Sequence, residues 1–182
     1  LRPAGRGLPR LLLAGLSLVP VALVGAAAYS LRPLLSSYRV AAETDFLKER
    51  PELSSAELEA RRPPDGGGPD FGMLLGTALA KEGKFPRAVD AFSAAAALDP
   101  NRADVLNNLG NCLFMLSRFE EAGAAYRRVL ALNPGHADAR FNLAYTYFHQ
   151  RRIKEALREC SALLAADPHN AKALQLRQQL AP

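Results

Sequence analysis

Three histidines and two cysteines are the residues of this chain whose types best suit metal or nucleophilic chemistry, and their spacing speaks against both. Structural and catalytic zinc sites gather Cys, His and carboxylate ligands at short, repeated spacings, whereas His136, His149 and His169 have no partner at such a distance. His136 and His169 stand in turn-like segments beside Asn133 and Asp167, residues that favour turns through their own side-chain hydrogen bonds. Cys112 and Cys160 fall within helical patterns at apolar positions and read as buried free thiols. No serine has a His and Asp constellation around it. Gly66-Gly67-Gly68 lies in a proline-rich stretch with no strand before it, so it is not a phosphate-binding loop. The chain does not read as an enzyme, and no catalytic residue, cofactor or metal is expected.

The elements that hold these residues are set by a ruler of 34 residues, on which Pro100, Pro134 and Pro168 fall. Leu75, Leu109 and Leu143 keep the same step, as do Gly76, Gly110 and Ala144, then Ala88, Ala122 and Ala156, then Phe92, Tyr126 and Cys160. A fixed period of this length marks a stack of helical units. The small residues let two helices cross closely while bulky residues one turn away fill the space beside them. Tight breaks are predicted at Glu82–Phe85, Leu116–Phe119 and Gln150–Ile153. A second set falls at Asp99-Pro100-Asn101, Asn133-Pro134-Gly135 and Asp167-Pro168-His169, where proline lacks the N–H a continuing helix needs. The result is six helices in three antiparallel pairs, followed by a capping helix over about Asn170–Leu180.

These positions resemble the tetratricopeptide repeat, with its Leu-Gly pair, small residue, aromatic and terminal proline, over Pro69–Pro182. The repeats are bounded at 69–102, 103–136 and 137–170, with the cap at 171–182. Gly72, Leu106 and Arg140 stand where the family often has Trp, and Cys160 where it has an aromatic, which predicts looser packing of single repeats. The resemblance implies an all-α solenoid that binds a protein or peptide in a concave groove lined by the first helix of each pair. Met73, Thr77 and Lys81, then Asn107, Asn111, Phe114 and Met115, then Phe141, Tyr145, Phe148 and His149 are the residues so placed. Asn107 and Asn111, one helical turn apart, suit an extended peptide backbone, the aromatics suit apolar anchors, and Met73 and Met115 suit adaptable contacts. Phe114 and Phe148 serve equally well as inter-repeat core by periodicity. In the family's clamp for terminal carboxylates, Met73, Thr77, Asp138 and Asn142 occupy most of the places and only Asn108 matches, which disfavours a receptor of chaperone tails.

The front of the chain has a different character. Leu11–Leu31 holds 21 residues without charge, and a helix of that length, at about 1.5 Å per residue, matches the hydrocarbon core of a bilayer. Residues 1–10 carry Arg2, Arg6 and Arg10 and no acid, which predicts a cytoplasmic amino terminus, a transmembrane signal anchor at 11–31 and repeats on the extracytoplasmic side. The alternatives are a secretory signal cleaved after Ala28 and an anchor with repeats facing the cytosol. Residues 32–68 read as a juxtamembrane helix, a short capped helix and a Pro/Gly-rich linker over 62–69 that lets the repeats swing.

The net charge of +5 does not point to nucleic acid, because the arginines of the repeats alternate with acids and form no basic stripe. The chain therefore reads as a membrane-anchored scaffold for protein–protein interaction, in a bacterial envelope by its arginine- and alanine-rich composition, with a permanent accessory subunit of a membrane complex as the alternative. Gly110→Leu is expected to unfold the stack, and Asn111→Ala to leave its melting nearly unchanged while weakening partner binding.

Overall fold

The computed structural model describes residues 53–64 and 66–180, and all of them belong to one compact unit. Among them are eight helices and no strand. A short α1 (Ser55–Ala60) precedes the pairs α2 (Gly68–Lys81) and α3 (Phe85–Leu98), α4 (Ala103–Met115) and α5 (Phe119–Leu132), and α6 (Ala137–His149) and α7 (Ile153–Ala166). The last helix is α8 (Ala171–Leu180). The segment Leu11–Leu31 and the juxtamembrane stretch as far as 52 lie outside the described residues, and among the described ones no helix is long and apolar enough to cross a membrane.

Local rules repeat with the sequence. Each break within a pair turns on one residue with left-handed backbone, Gly83 (φ 74°), Ser117 (φ 58°) and Arg151 (φ 62°). Glycine takes that conformation without steric cost, and the other two units adopt it with a side chain in place. Each break between pairs is closed by a carboxylate or amide that accepts the N–H two residues on: Asp99 from Asn101 at 3.3 Å, Asn133 from Gly135 at 3.1 Å and Asp167 from His169 at 3.1 Å. His136 caps α6 by accepting the Ala139 N–H at Nδ1, and Asn170 does the same for α8 with Ala173.

Within each pair the crossing is fixed by absence of bulk. A Cβ at Gly76 would stand 2.7 Å from the Phe92 ring, and one at Gly110 would stand 2.6 Å from the Tyr126 ring. Both rings are almost wholly buried, so neither has room to withdraw. The same register in the last pair sets Ala144 opposite Cys160, a larger residue facing a smaller one, and both are buried. The two cysteines are free and buried. Desolvation raises the Cys112 thiol to about 11 and pushes Cys160 up as well, so both stay protonated and unreactive near neutral pH.

The positions where the family often carries Trp are closely packed, which corrects the expectation of loosened repeats. A Cβ at Gly72 would lie 2.9 Å from that of Ala95, so α2 and α3 approach nearly backbone to backbone. Leu106 is fully buried. Arg140 donates to Glu159 at 3.1 Å and to the Pro134 carbonyl at 2.7 Å, stitching α6 to α7 and to the preceding turn.

A second correction concerns the stretch before the first repeat. α1 is closed by a capping box between Ser54 and Glu57, and Leu58 enters the core of the first pair with 3% exposure. Pro63 and Gly67 are buried, and the Arg62 guanidinium lies 5.6 Å from the centre of the Phe71 ring. Residues 53–64 are therefore seated on the repeats, and the free hinge expected over 62–69 is in part packed down, because the apolar Leu58 and a polar latch on the buried Ser55 outweigh the local preference of the proline–glycine run. The latch is Glu82, which accepts from the Ser55 N–H at 2.7 Å and the Ser55 hydroxyl at 2.6 Å and pairs with Lys84 at 2.7 Å.

Those bonds, to Lys84 first and Ser55 next, hold the Glu82 carboxyl at about 2, below its ordinary 4.5. A depressed folded-state pKa contributes stability above the unfolded value that is lost as pH falls through the folded one. The docking of α1 is thus expected to hold at neutral pH and to loosen as pH falls from about 4.5 toward about 2. Hydrogen exchange of the Ser55 amide reads this directly. Protection that stays constant over that range, or that Glu82→Gln leaves intact, would show that the carboxylate is not the latch.

Candidate partner-binding groove

The first helices of successive pairs touch one another in series, α2 to α4, α4 to α6 and α6 to α8, while the second helices, among the described residues, make no comparable contact with one another. A stack joined more closely on one side curves toward that side, so α2, α4, α6 and α8 form its inner wall. The residues singled out from the sequence lie on these helices, but the structure gives them different roles.

At the first end, a cavity of ≈ 290 Å³ is lined by Thr77 and Lys81 of α2, Phe85 of α3, and Asn108, Asn111 and Met115 of α4. Thr77 donates its hydroxyl to the Met73 carbonyl at 2.7 Å, a bond internal to its helix. Met73 is half-buried and accepts at its sulfur, 3.6 Å away, from the Asn108 amide. Asn107 is half-buried, and its Oδ1 has no hydrogen-bond partner among the described residues although it is shielded from solvent. A buried acceptor without a donor costs about 1–3 kcal/mol. Asn111 is exposed, yet its Oδ1 accepts from the buried Tyr126 hydroxyl at 2.8 Å and from Asn142 at 3.0 Å. Burial pushes the Tyr126 phenol well above its ordinary value, so it remains a donor.

In the middle of the wall the aromatics come together. Phe114 meets Phe119, Tyr145 and His149 with ring centres 5.3, 5.5 and 5.1 Å apart, and His149 also stands 4.7 Å from Tyr145 and 5.6 Å from Phe148. Such spacings are those of favourable edge and offset contacts. Tyr145 and His149 are exposed at the surface of this cluster and Phe114, Phe141 and Phe148 are half-buried. Phe114 and Phe148 thus serve both as packing between repeats and as groove surface.

At the far end, a cavity of ≈ 340 Å³ is lined by Phe141 and Tyr145 of α6 and by Lys172, Gln175, Leu176 and Gln179 of α8. The capping helix is therefore part of the groove as well as its lid. Lys172, Gln175 and Gln179 were not expected here, although each stands one 34-residue step after Asp138, Phe141 and Tyr145, so the period itself carried the signal. Phe119 escaped notice because it begins a second helix.

Two family models of the tetratricopeptide repeat match the chain, over residues 73–136 and 113–180. The chain belongs to the tetratricopeptide repeat family. Tetratricopeptide repeats are in general protein-interaction modules that do no chemistry themselves. No curated protein matches it. Among solved structures, YrrB, described as a TPR protein with an unusual peptide-binding site, is 26% identical with a TM-score of 0.66, over 73% of this chain and 69% of that one. MamA is 20% identical with a TM-score of 0.69, over 80% of each chain. The first TPR of Spaghetti, solved with an HSP90 peptide, is 23% identical with a TM-score of 0.58, over 63% of this chain and 94% of that one. At these identities the last two establish the shared fold alone.

Proposed function

We propose that this tetratricopeptide protein is a membrane-anchored scaffold that holds a partner polypeptide in the groove of α2, α4, α6 and α8, on the extracytoplasmic side of the membrane. The observation that carries the binding reading is the row of aromatic side chains, Phe114, Tyr145 and Phe148 with His149, left open between two cavities on the inner wall. Partly exposed aromatic clusters of this kind are where binding energy concentrates. The peptide-binding site reported for YrrB supports the choice of a peptide over a small molecule. The anchor rests on the uncharged run Leu11–Leu31 behind three arginines.

Affinity capture from solubilised membranes tests both halves, comparing the full-length chain, a version beginning at Leu53, and full-length Tyr145→Ala. The expected result is one partner shared by the first two and weakened at least about tenfold by Tyr145→Ala, the scale of a truncated aromatic anchor. A partner that follows only the full-length chain, and that Tyr145→Ala does not disturb, would assign the contact to residues before Leu53 and make this a fixed subunit of a membrane complex.

A further inference from the structure

Lys81 and Lys172 are the lysines that line the two end cavities of the groove, and among the described residues neither makes an ion pair with a carboxylate. The remaining charges on the inner wall are differently disposed. Arg102 binds Asp70 and Asp104 together, the latter at 2.6 Å, and so offsets the acids at the start of the wall. Among the described residues neither cavity has a carboxylate in its lining. Asp138 lies on the same helix as Tyr145 but outside the lining of both cavities.

Lys172 is exposed, and its ammonium stands 5.8 Å from the centre of the Phe141 ring, beside the cavity that Gln175 and Gln179 line with it. An ammonium on an aromatic face beside two amides offers several donors to one anionic group and an apolar floor to whatever carries it. At the other end Lys81 and Asn108 line a cavity together with Phe85 and Met115, a similar mixture of donors and apolar surface. Between the two ends the wall is aromatic.

We infer that the groove selects an extended peptide with a carboxylate side chain near each end of an apolar or aromatic core, one carboxylate answering Lys81 and the other Lys172. This rests on the scaffold reading above and adds the chemistry of the partner to it. The order acid, apolar, acid follows from the order lysine, aromatic, lysine along the wall.

The test has two stages with the full-length chain in detergent. An array of random-sequence peptides first asks whether the groove binds peptide at all. Fluorescence anisotropy then compares labelled peptides with a common Leu-Phe-Ser-Phe-Leu core and Asp-Glu, Gln-Gln or Lys-Lys pairs at both ends. The Asp-Glu peptide is expected to bind most tightly and to weaken as salt rises. Lys81→Glu and Lys172→Glu should each weaken it by about 10- to 100-fold, the range for losing a hydrogen bond to a charged group. The double charge reversal should come to prefer the Lys-Lys peptide. Circular dichroism checks the folding of each variant, and Lys81→Gln and Lys172→Gln serve where a glutamate disturbs it. Peptides that bind irrespective of their end charges would overturn this inference and leave the scaffold reading standing. An array with no binder to the folded chain would overturn both.

Discussion

Gly110→Ala should lower the stability of the repeat stack by about 1–3 kcal/mol, and Gly110→Leu should leave it unfolded, although both substitutions favour helix in isolation. The added Cβ has nowhere to go: it would stand 2.6 Å from one Tyr126 ring carbon and 2.9 Å from the next. That ring is 1% exposed and its hydroxyl is tied to Asn111, so withdrawing it breaks a bond as well as a packing arrangement. The third repeat shows the compatible alternative, since it carries Ala144 where this one has Gly110 and Cys160 where it has Tyr126. Tyr126→Cys alone should cost about 3–5 kcal/mol through the cavity it opens. The double variant Gly110→Ala/Tyr126→Cys should lose less than the sum by about 0.5–3 kcal/mol, because the new methyl group fills part of that cavity. Urea unfolding of the native protein, the two single variants and the double variant measures the coupling. Additive losses would mean that the small residue and the ring do not fix the crossing between them.

Asn111→Ala should also destabilise, by about 1–3 kcal/mol, which reverses the expectation drawn from the sequence that this change spares the fold. Its Oδ1 is the acceptor for a phenol buried in the core and for the Asn142 amide on the next repeat, so one exposed side chain satisfies a buried donor and joins α4, α5 and α6. Removing it strands the Tyr126 hydroxyl without that acceptor. The control is Tyr126→Phe, in which no donor remains to strand. In that background Asn111→Ala should cost only a few tenths of a kcal/mol, the ordinary scale of a surface change. A loss as large in the Tyr126→Phe background as in the native one would place the effect elsewhere, and unchanged melting in the native background would restore Asn111 to the free groove surface.

The two asparagines one turn apart on α4 thus part ways. By periodicity Asn107 and Asn111 are equivalent candidates for a peptide backbone. In the fold Asn111 spends its acceptor on Tyr126 and Asn142, whereas the shielded Oδ1 of Asn107 has no donor among the described residues. Asn107 is thus shielded, and Asn111 carries a structural duty beside its place in the lining of the groove. The aromatic candidates fared differently, since Phe114, Phe141, Tyr145 and Phe148 do come together, joined by His149 and by Phe119 from a second helix.

The repeat is legible in the chain before any folding: its 34-residue step, the breaks at Pro100, Pro134 and Pro168, and the small residues Gly76, Gly110 and Ala144 where two helices cross. Those features are local or keep a constant separation along the chain, so a periodic pattern contains them. Two things emerge only once the helices are stacked: which polar groups on the wall are already spent, and that α1 is latched to Glu82. Each depends on partners that come from other helices at separations the helical period does not encode, such as Ser55 with Glu82 and Asn142 with Asn111. A side chain's hydrogen-bonding capacity is limited, and only the folded arrangement shows which neighbour has already taken it.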